Sequence, residues 1–111
     1  MKPVSWEEFQ QVELRVGTIT EVLDFPEARK PAYILHVDFG DKIGMKKSSA
    51  QITDLYTKEA LLGRQVIAVV NFPPKQIGPI MSECLVTGFH TSAGVVLAVP
   101  DSSVDNGTKL V

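Results

Sequence analysis

Length, composition and charge already exclude several classes of protein. The chain has 111 residues, of which 44% are hydrophobic and 22% charged, and its formal net charge is −2. These values are typical of one globular domain rather than a disordered chain. Dedicated nucleic-acid binders usually carry a clear basic excess, so RNA binding here would depend on a local patch.

Targeting signals are also lacking in the sequence. The longest apolar run, residues 66–70, is far shorter than the roughly 20 residues that a membrane span needs. The sequence turns acidic at residues 7–8, where a signal peptide would need an apolar segment. We therefore expect a cytoplasmic protein without membrane insertion.

The first predicted element is a short helix within residues 1–11. Ser5 and Glu8 have the spacing of a capping box, which marks a helix start. Trp6 and Phe9 are three residues apart and would therefore share one face of this helix. That aromatic face must be buried either on the chain's own barrel or on a second subunit, and the sequence leaves both open.

Alternating apolar and polar residues then predict strands. The alternation over residues 12–16 changes parity at Gly17, which predicts a bulged or sharply bent strand there. Residues 33–39 alternate cleanly and lead through a glycine turn into a third strand, residues 43–52. The centre of that third strand, residues 46–49, is polar on both parities, so it is either a sheet edge or a binding surface.

The second half predicts one more helix and the remaining strands. The helix covers residues 53–62 and ends at Gly63. A stiff loop with three prolines occupies residues 72–79. The strands are predicted at residues 65–71, 82–89 and 95–99. We therefore predict an all-β fold over residues 1–111, a five-stranded OB-type Greek-key barrel with a short N-terminal helix and a short helix between strands three and four.

Residues that could carry catalysis are scarce. The chain has two histidines and no His-x-x-x-His pair, phosphate-binding glycine loop or dinucleotide motif. Ser82, His90 and Asp101 could form a triad only on paper, because no nucleophile elbow surrounds the serine. Cys84 is the single cysteine, and we interpret it as a small buried hydrophobe rather than a reactive thiol. We expect no enzyme, catalytic residue, metal or cofactor.

Six blocks of sequence carry a resemblance that covers nearly the whole chain. They lie at residues 25–29, 37–40, 48–52, 66–74, 82–83 and 106–109. In this order they resemble the CsaA chaperones, a bacterial branch of the tRNA-binding domain family. The resemblance implies a homodimer built by the N-terminal helix (1–11) and the C-terminal tail (100–111), with Trp6 and Phe9 at the interface. It also implies an export-related chaperone that binds unfolded preproteins or peptides and the secretion motor SecA.

The same resemblance implies a set of ligand-binding residues for peptide or tRNA. In the tRNA-binding relatives, the ligand surface lies on the third strand, around the asparagine after strand four, and at a Ser-Glu pair. The matching residues here are Lys46, Ser48, Ser49, Gln51, Asn71, Lys75, Ser82 and Glu83. Lys47 beside Lys46 is added to this set, and Arg29 and Lys30 are predicted as flanking contacts, because an OB barrel would bring these basic residues to the same face.

One departure from the tRNA-binding relatives affects the choice of ligand. Those relatives usually carry more basic residues after the position of Asn71, and often a Ser-Glu-Gly-Met pattern, whereas residues 82–85 here read Ser-Glu-Cys-Leu and the loop holds only Lys75. This departure favours a peptide-binding chaperone. The alternative is a tRNA-binding module that recognises RNA shape, and a third reading is a dimerisation or adaptor domain without a ligand.

Overall fold

The chain folds into a nearly closed five-stranded antiparallel barrel, described here over residues 1–111 by a computed structural model. In chain order its elements are α1 (Trp6–Gln11), β1 (Leu14–Asp24), β2 (Tyr33–Asp38), β3 (Met45–Ala50), α2 (Lys58–Leu61), β4 (Gln65–Val69), β5 (Lys75–Ile77), β6 (Ile80–Ser82), β7 (Leu85–Val86), β8 (Gly88–Thr91) and β9 (Gly94–Leu97). The main sheet has the order β3-β2-β1-β4-β7, and β5–β6 and β8–β9 are separate hairpins. The predicted OB-type fold is confirmed. No helix combines the length and the apolar character that a membrane crossing needs.

The core is built by the period-two pattern of the strands. On β2, Leu35 and Val37 are completely buried, while the alternating residues 34, 36 and 38 are half-buried and face away from the core. From α2, Leu61 enters the same apolar cluster and is also completely buried. The short helix therefore covers the barrel through one side chain.

The N-terminal helix forms as predicted but buries none of its residues. The Ser5 side chain accepts a hydrogen bond from the Glu8 N–H at 3.1 Å, and Glu8 Oε1 accepts one from the Ser5 N–H at 2.9 Å. Trp6 is nevertheless 80% exposed, and Phe9 is half-buried. Of the two predicted environments for the aromatic face, its own barrel is therefore not the one that covers Trp6.

The predicted helix over residues 53–62 is shortened to a single turn, Lys58–Leu61. Thr57 has an extended backbone, and its Oγ1 accepts a hydrogen bond from the Ala60 N–H at 3.2 Å, so the helix begins after it. Tyr56 is held outside the helix because its hydroxyl accepts a hydrogen bond from the backbone of β9. The predicted stop at Gly63 is present, with φ +85°.

The irregularity in β1 lies between Ile19 and Glu21 rather than at Gly17. Glycine is required at position 17 for a different reason. A Cβ atom at position 17 would lie 2.6 Å from Val37 Cγ1 and 2.7 Å from Phe39 Cδ1. Gly17 therefore lets β1 and the buried side chains at β2 approach closely, while the strand bends three residues later.

Two predicted segments in the second half of the chain differ from the structure. The stiff loop at residues 72–79 contains β5 and leads into its partner β6, with Gly78 at φ +53° in the turn between them. The predicted strand over residues 82–89 is broken at Thr87 into β7 and β8. Thr87 bonds to both neighbours, because its N–H donates to the Ile67 carbonyl at 3.0 Å and its carbonyl accepts from the Ala98 N–H at 3.1 Å.

The C-terminal tail is attached along the first half of β1. The Gly107 N–H donates to the Val16 carbonyl at 2.7 Å, and the Leu110 N–H donates to the Leu14 carbonyl at 2.8 Å. Lys109 Nζ lies 2.9 Å from Glu13 Oε2. Hydrogen bonds, first from Lys109 and then from Arg15, hold the pKa of the Glu13 carboxyl below its ordinary value.

Two side chains and one backbone hydrogen bond, rather than a strand ladder, join β3 to the far end of the barrel. Glu83 Oε1 accepts a hydrogen bond from the Lys47 N–H at 2.9 Å, and the Glu83 N–H donates to the Lys47 carbonyl at 2.8 Å. One step along, Ser82 Oγ accepts a hydrogen bond from the Ser49 N–H at 3.1 Å. Because β3 and β7 are not hydrogen-bonded neighbours, these contacts close the barrel.

Replacing Glu83 tests this closure. We expect Glu83→Ala to lower the free energy of unfolding by about 1–3 kcal/mol, since the half-buried Lys47 N–H loses a charged acceptor. Glu83→Gln keeps an acceptor oxygen and should lose less. Urea unfolding followed by circular dichroism measures both, with Glu27→Ala as the exposed control. Equal stability of Glu83→Ala and Glu27→Ala would contradict a closing role.

Candidate functional site

A cleft of about 1120 Å³ opens at one side of the barrel, where β3 and β7 separate. We call this space the cleft. Its walls are the first loop (residues 27–32), the end of β3 (49–52), the β5–β6 hairpin (75–78) and the run from β7 into β8 (84–88). In OB barrels, the loops after strands one and four flank the usual ligand face, and the cleft lies between the corresponding loops here.

The first loop and the β5–β6 hairpin meet at one end of the cleft. A Cβ atom built on Gly78 would lie 3.7 Å from Phe25 Cζ and 3.8 Å from Glu27 Cβ. Phe25 itself is only 4% exposed, so it fixes the base of the first loop to the barrel. The two loops therefore support each other, which positions the side chains on both walls.

Six of the eleven predicted ligand-binding residues line the cleft, and they come from separate parts of the chain. The basic ones are exposed on its rim and take part in none of the salt bridges of the molecule. The structure thus brings together basic side chains that form no salt bridge with the rest of the chain. The six residues are Arg29, Lys30, Ser49, Gln51, Lys75 and Ser82.

The other five predicted residues lie outside the cleft lining. Ser48 faces the core and is 1% exposed, so its side chain is not available to a ligand. Glu83 is occupied by the Lys47 backbone. Asn71 holds the N-terminal segment, because its Oδ1 accepts from the Glu13 N–H at 3.0 Å and its Nδ2 donates to the Gln11 carbonyl at 2.7 Å. Lys46 and Lys47 are half-buried on β3.

The apolar part of the cleft was not identified from the sequence. Its floor contains buried residues, among them Ala50 at 7%, Ile52 at 4% and Cys84 at 6% exposure. Burial raises the pKa of the Cys84 thiol to about 11, so the floor stays uncharged at neutral pH. The exposed Leu85 and the half-buried Val86 continue this surface along the wall. The glycine at position 88, inside the strand predicted over residues 82–89, was the one sequence signal that could have pointed here.

A second apolar surface surrounds α1 and the C-terminal tail. Trp6 is 80% exposed, Val12 37%, Leu110 38% and Val111 100%. Lys109 connects these segments, because its Nζ donates a hydrogen bond to the Gln10 carbonyl at 2.9 Å. We call the exposed apolar residues Trp6, Val12, Leu110 and Val111 the terminal patch. They bring together the two segments, 1–11 and 100–111, that the sequence predicts for a dimer interface.

Metal chemistry has no counterpart in this geometry. Nowhere do three or more His, Cys, Asp or Glu side chains gather as they would to hold a metal ion. Ser82 and His90 both line the cleft, but Asp101 does not. The Ser82 hydroxyl instead accepts a hydrogen bond from the Ser49 N–H. The three residues of the triad are therefore not brought together in the cleft.

Comparison with known proteins identifies relatives of two kinds. Residues 14–109 match the tRNA binding domain family, tRNA_bind. The methionine–tRNA ligase of Pyrococcus furiosus is 36% identical over 110 residues, which are 99% of this chain and 15% of the ligase. This chain thus spans only about a seventh of that relative's length.

The solved structures that resemble this one include two of the same size. The CsaA chaperone protein of Picrophilus torridus superposes with a TM-score of 0.93 at 50% identity, covering 98% of this chain and 100% of the other. The chaperone CsaA of Bacillus anthracis strain Ames gives 0.91 at 47% identity, covering 99% and 100%. The chain therefore belongs to the tRNA binding domain family, and it is CsaA-like over essentially its whole length.

Proposed function

We propose that this protein is a cytoplasmic chaperone that binds unfolded segments of polypeptide, including precursors for export, and catalyses no reaction. The observation that carries the proposal is the match to two CsaA chaperones along nearly the full length of every chain compared. The resemblance adds the secretion motor SecA as a partner. No nucleotide or other cofactor is required in this proposal.

The cleft has the mixed character that unfolded polypeptide needs. Its apolar floor, with Ile52 and Cys84, can bury hydrophobic side chains that a folded client would hide. Its rim carries Arg29, Lys30 and Lys75, which attract acidic groups, while Glu27 on the same wall keeps the local charge moderate. A net charge of −2 gives the protein no general attraction for phosphate backbones.

Two matched leucines test the cleft. Leu85 lines it and is 50% exposed, whereas Leu62 lies outside it and is 58% exposed. We expect Leu85→Glu to lose most of the protection against aggregation of a chemically unfolded client, because a charge replaces apolar contact surface. Leu62→Glu should protect as the unchanged chain does. Light scattering during client dilution is the measurement. Full protection by Leu85→Glu would contradict client binding in the cleft, whereas no protection by the unchanged chain would favour an adaptor domain without a ligand of its own.

We further propose that the protein is a homodimer joined through the terminal patch, with two equivalent clefts. The capped α1 helix leaves Trp6 80% exposed, and a helix with an aromatic face is stable only when that face is covered. A twofold axis lets the same patch cover itself in both subunits. Phe9 is half-buried beside it and would complete the contact.

Sedimentation equilibrium tests the dimer. We expect the unchanged chain to sediment at twice its mass of 12.1 kDa, and Trp6→Ser to shift it toward the monomer, because the substitution removes the central aromatic contact. Phe89→Ser is the matched control, since Phe89 is 63% exposed on the β8–β9 hairpin. A monomeric unchanged chain, or equal behaviour of both variants, would refute this assignment.

A tRNA-binding module is the second candidate, and the family match over residues 14–109 favours it. In this alternative, the half-buried Lys46 and Lys47 on β3 and the basic rim of the cleft would contact the RNA backbone. Recognition would depend on the shape of the RNA more than on its sequence. Release of counterions would make such binding strongly salt-dependent.

A tRNA titration at two salt concentrations separates the candidates. If tRNA is the ligand, binding weakens steeply with salt, and the double variant Lys46→Ala, Lys47→Ala reduces both the affinity and the slope. We expect weak binding with a shallow slope, because the chain is acidic overall. The same samples, given an unfolded peptide as competitor, show whether peptide and tRNA share a site. Tight, salt-sensitive tRNA binding that displaces the peptide would reverse our preference.

A further inference from the structure

We propose that the cleft binds its client as an added β-strand, through main-chain hydrogen bonds to free strand edges at residues 49–52 and 86–90. This inference rests on the proposed peptide-binding function and specifies how the peptide is held. Addition of a strand recognises the backbone that all unfolded polypeptides share, and pockets beside the edge select side chains. The occupant is therefore an extended segment of polypeptide.

The first free edge continues β3. The Phe39 N–H donates to the Gly44 carbonyl at 3.0 Å, and this register turns the backbone groups of Ser48 and Ala50 toward β2. Ser49 and Gln51 therefore point the other way, into the space that they line. The Ser49 N–H already donates a hydrogen bond to Ser82 Oγ. One step further, the exposed Gln51 makes no hydrogen bond through its N–H or carbonyl.

The second free edge runs from β7 into β8. Thr87 bonds to Ile67 of β4 and to Ala98, which follows β9, and both bonds lie on one side of the strand. Alternation turns Val86, Gly88 and His90 to the opposite side, where all three line the cleft. Gly88 is exposed and has no side chain to cover its backbone groups.

Neither edge has the usual protection against pairing. Natural edge strands are commonly blocked by proline, lysine or other charged side chains. Residues 49–52 and 86–90 contain no proline and no Asp, Glu, Lys or Arg. Gly88 cannot be replaced by a residue with a blocking side chain without a clash, because a Cβ atom there would lie 2.8 Å from Val95 Cγ1. The edges are therefore open to a strand of about five residues, at about 3.3 Å per residue.

The floor of the cleft determines which segments fit. Side chains of an added strand alternate between two faces, and one face would lie over the buried apolar residues Ala50, Ile52 and Cys84. The preferred client segment therefore has apolar residues at every second position. Proline is excluded where a client N–H must pair with an edge.

Backbone-ester peptides test the inference on the unchanged protein. The probe is a fluorescent peptide of about eight residues, alternating valine and serine, long enough for the strand-addition mode. In two variants, esters replace the amides at odd or at even positions, which removes the N–H groups on one side of the strand. We expect at least one variant to bind about 10-fold more weakly in fluorescence anisotropy. Equal affinity of both variants and the parent would overturn strand addition, while the proposed function would stand.

A substitution that changes the protein backbone gives an independent test of strand addition. Gln51→Pro removes the N–H that makes no hydrogen bond in the fold, whereas Gln51→Ala removes only the side chain. We expect Gln51→Pro to bind the parent peptide about 3- to 10-fold more weakly than Gln51→Ala, with both variants folded by circular dichroism. Equal binding by the two folded variants counts against the β3 edge. Should Gln51→Pro fail to fold, the ester peptides decide.

Binding of the parent peptide distinguishes a failure of the proposed function from a failure of strand addition alone. Failure of the all-amide peptide to bind, together with failure to protect an unfolded client, overturns the proposed function and strand addition with it. Displacement of the bound peptide by tRNA at low salt would show instead that nucleic acid is the stronger occupant of the cleft, and this too would overturn the inference.

Discussion

The closure of the barrel by Ser82 and Glu83 is the constraint on which the rest of this structure depends. A β-barrel removes its edges only if its first and last strands pair. Here the Ser82 and Glu83 side chains and one backbone hydrogen bond take the place of that pairing, and they reach only Lys47 and Ser49. Beyond Ser49 no acceptor follows, so β3 and β7 diverge and the cleft opens between them. The same contacts therefore complete the barrel and define the binding space.

The sequence correctly predicted those structural features that depend only on residues close together in the chain. The capping box at Ser5 and Glu8 and the stop at Gly63 are present, because each depends on residues within one turn. The start of α2 was wrong, because distant β9 fixes Tyr56 outside the helix. Gly17 was assigned to a bulge, but it serves the close approach of Val37, which no pattern within β1 can show.

The sequence indicated only part of the candidate site, again because contacts between distant segments leave no local pattern. The family resemblance implied a set of polar ligand contacts, and the side chains of several of these residues are engaged within the fold. Asn71 attaches α1, Glu83 closes the barrel, and Ser48 lies in the core. The basic residues of the rim lie near one another because loops in this fold type converge on one face. A free backbone edge has no side-chain signature, so the edge at Gln51 is visible only once the register of the strands is known.

Energetics explain why such a cleft needs its apolar floor. Ordering the backbone of a client costs about 1–2 kcal/mol per residue, whereas a main-chain hydrogen bond contributes about 0.5–1.5 kcal/mol net. For an added strand of about five residues these contributions roughly cancel, so backbone pairing alone orients a client without holding it. The surplus must come from apolar side chains over Ala50, Ile52 and Cys84. In the proposed mode, release needs no cofactor, because a client that folds withdraws those side chains and loses the apolar contacts that held it.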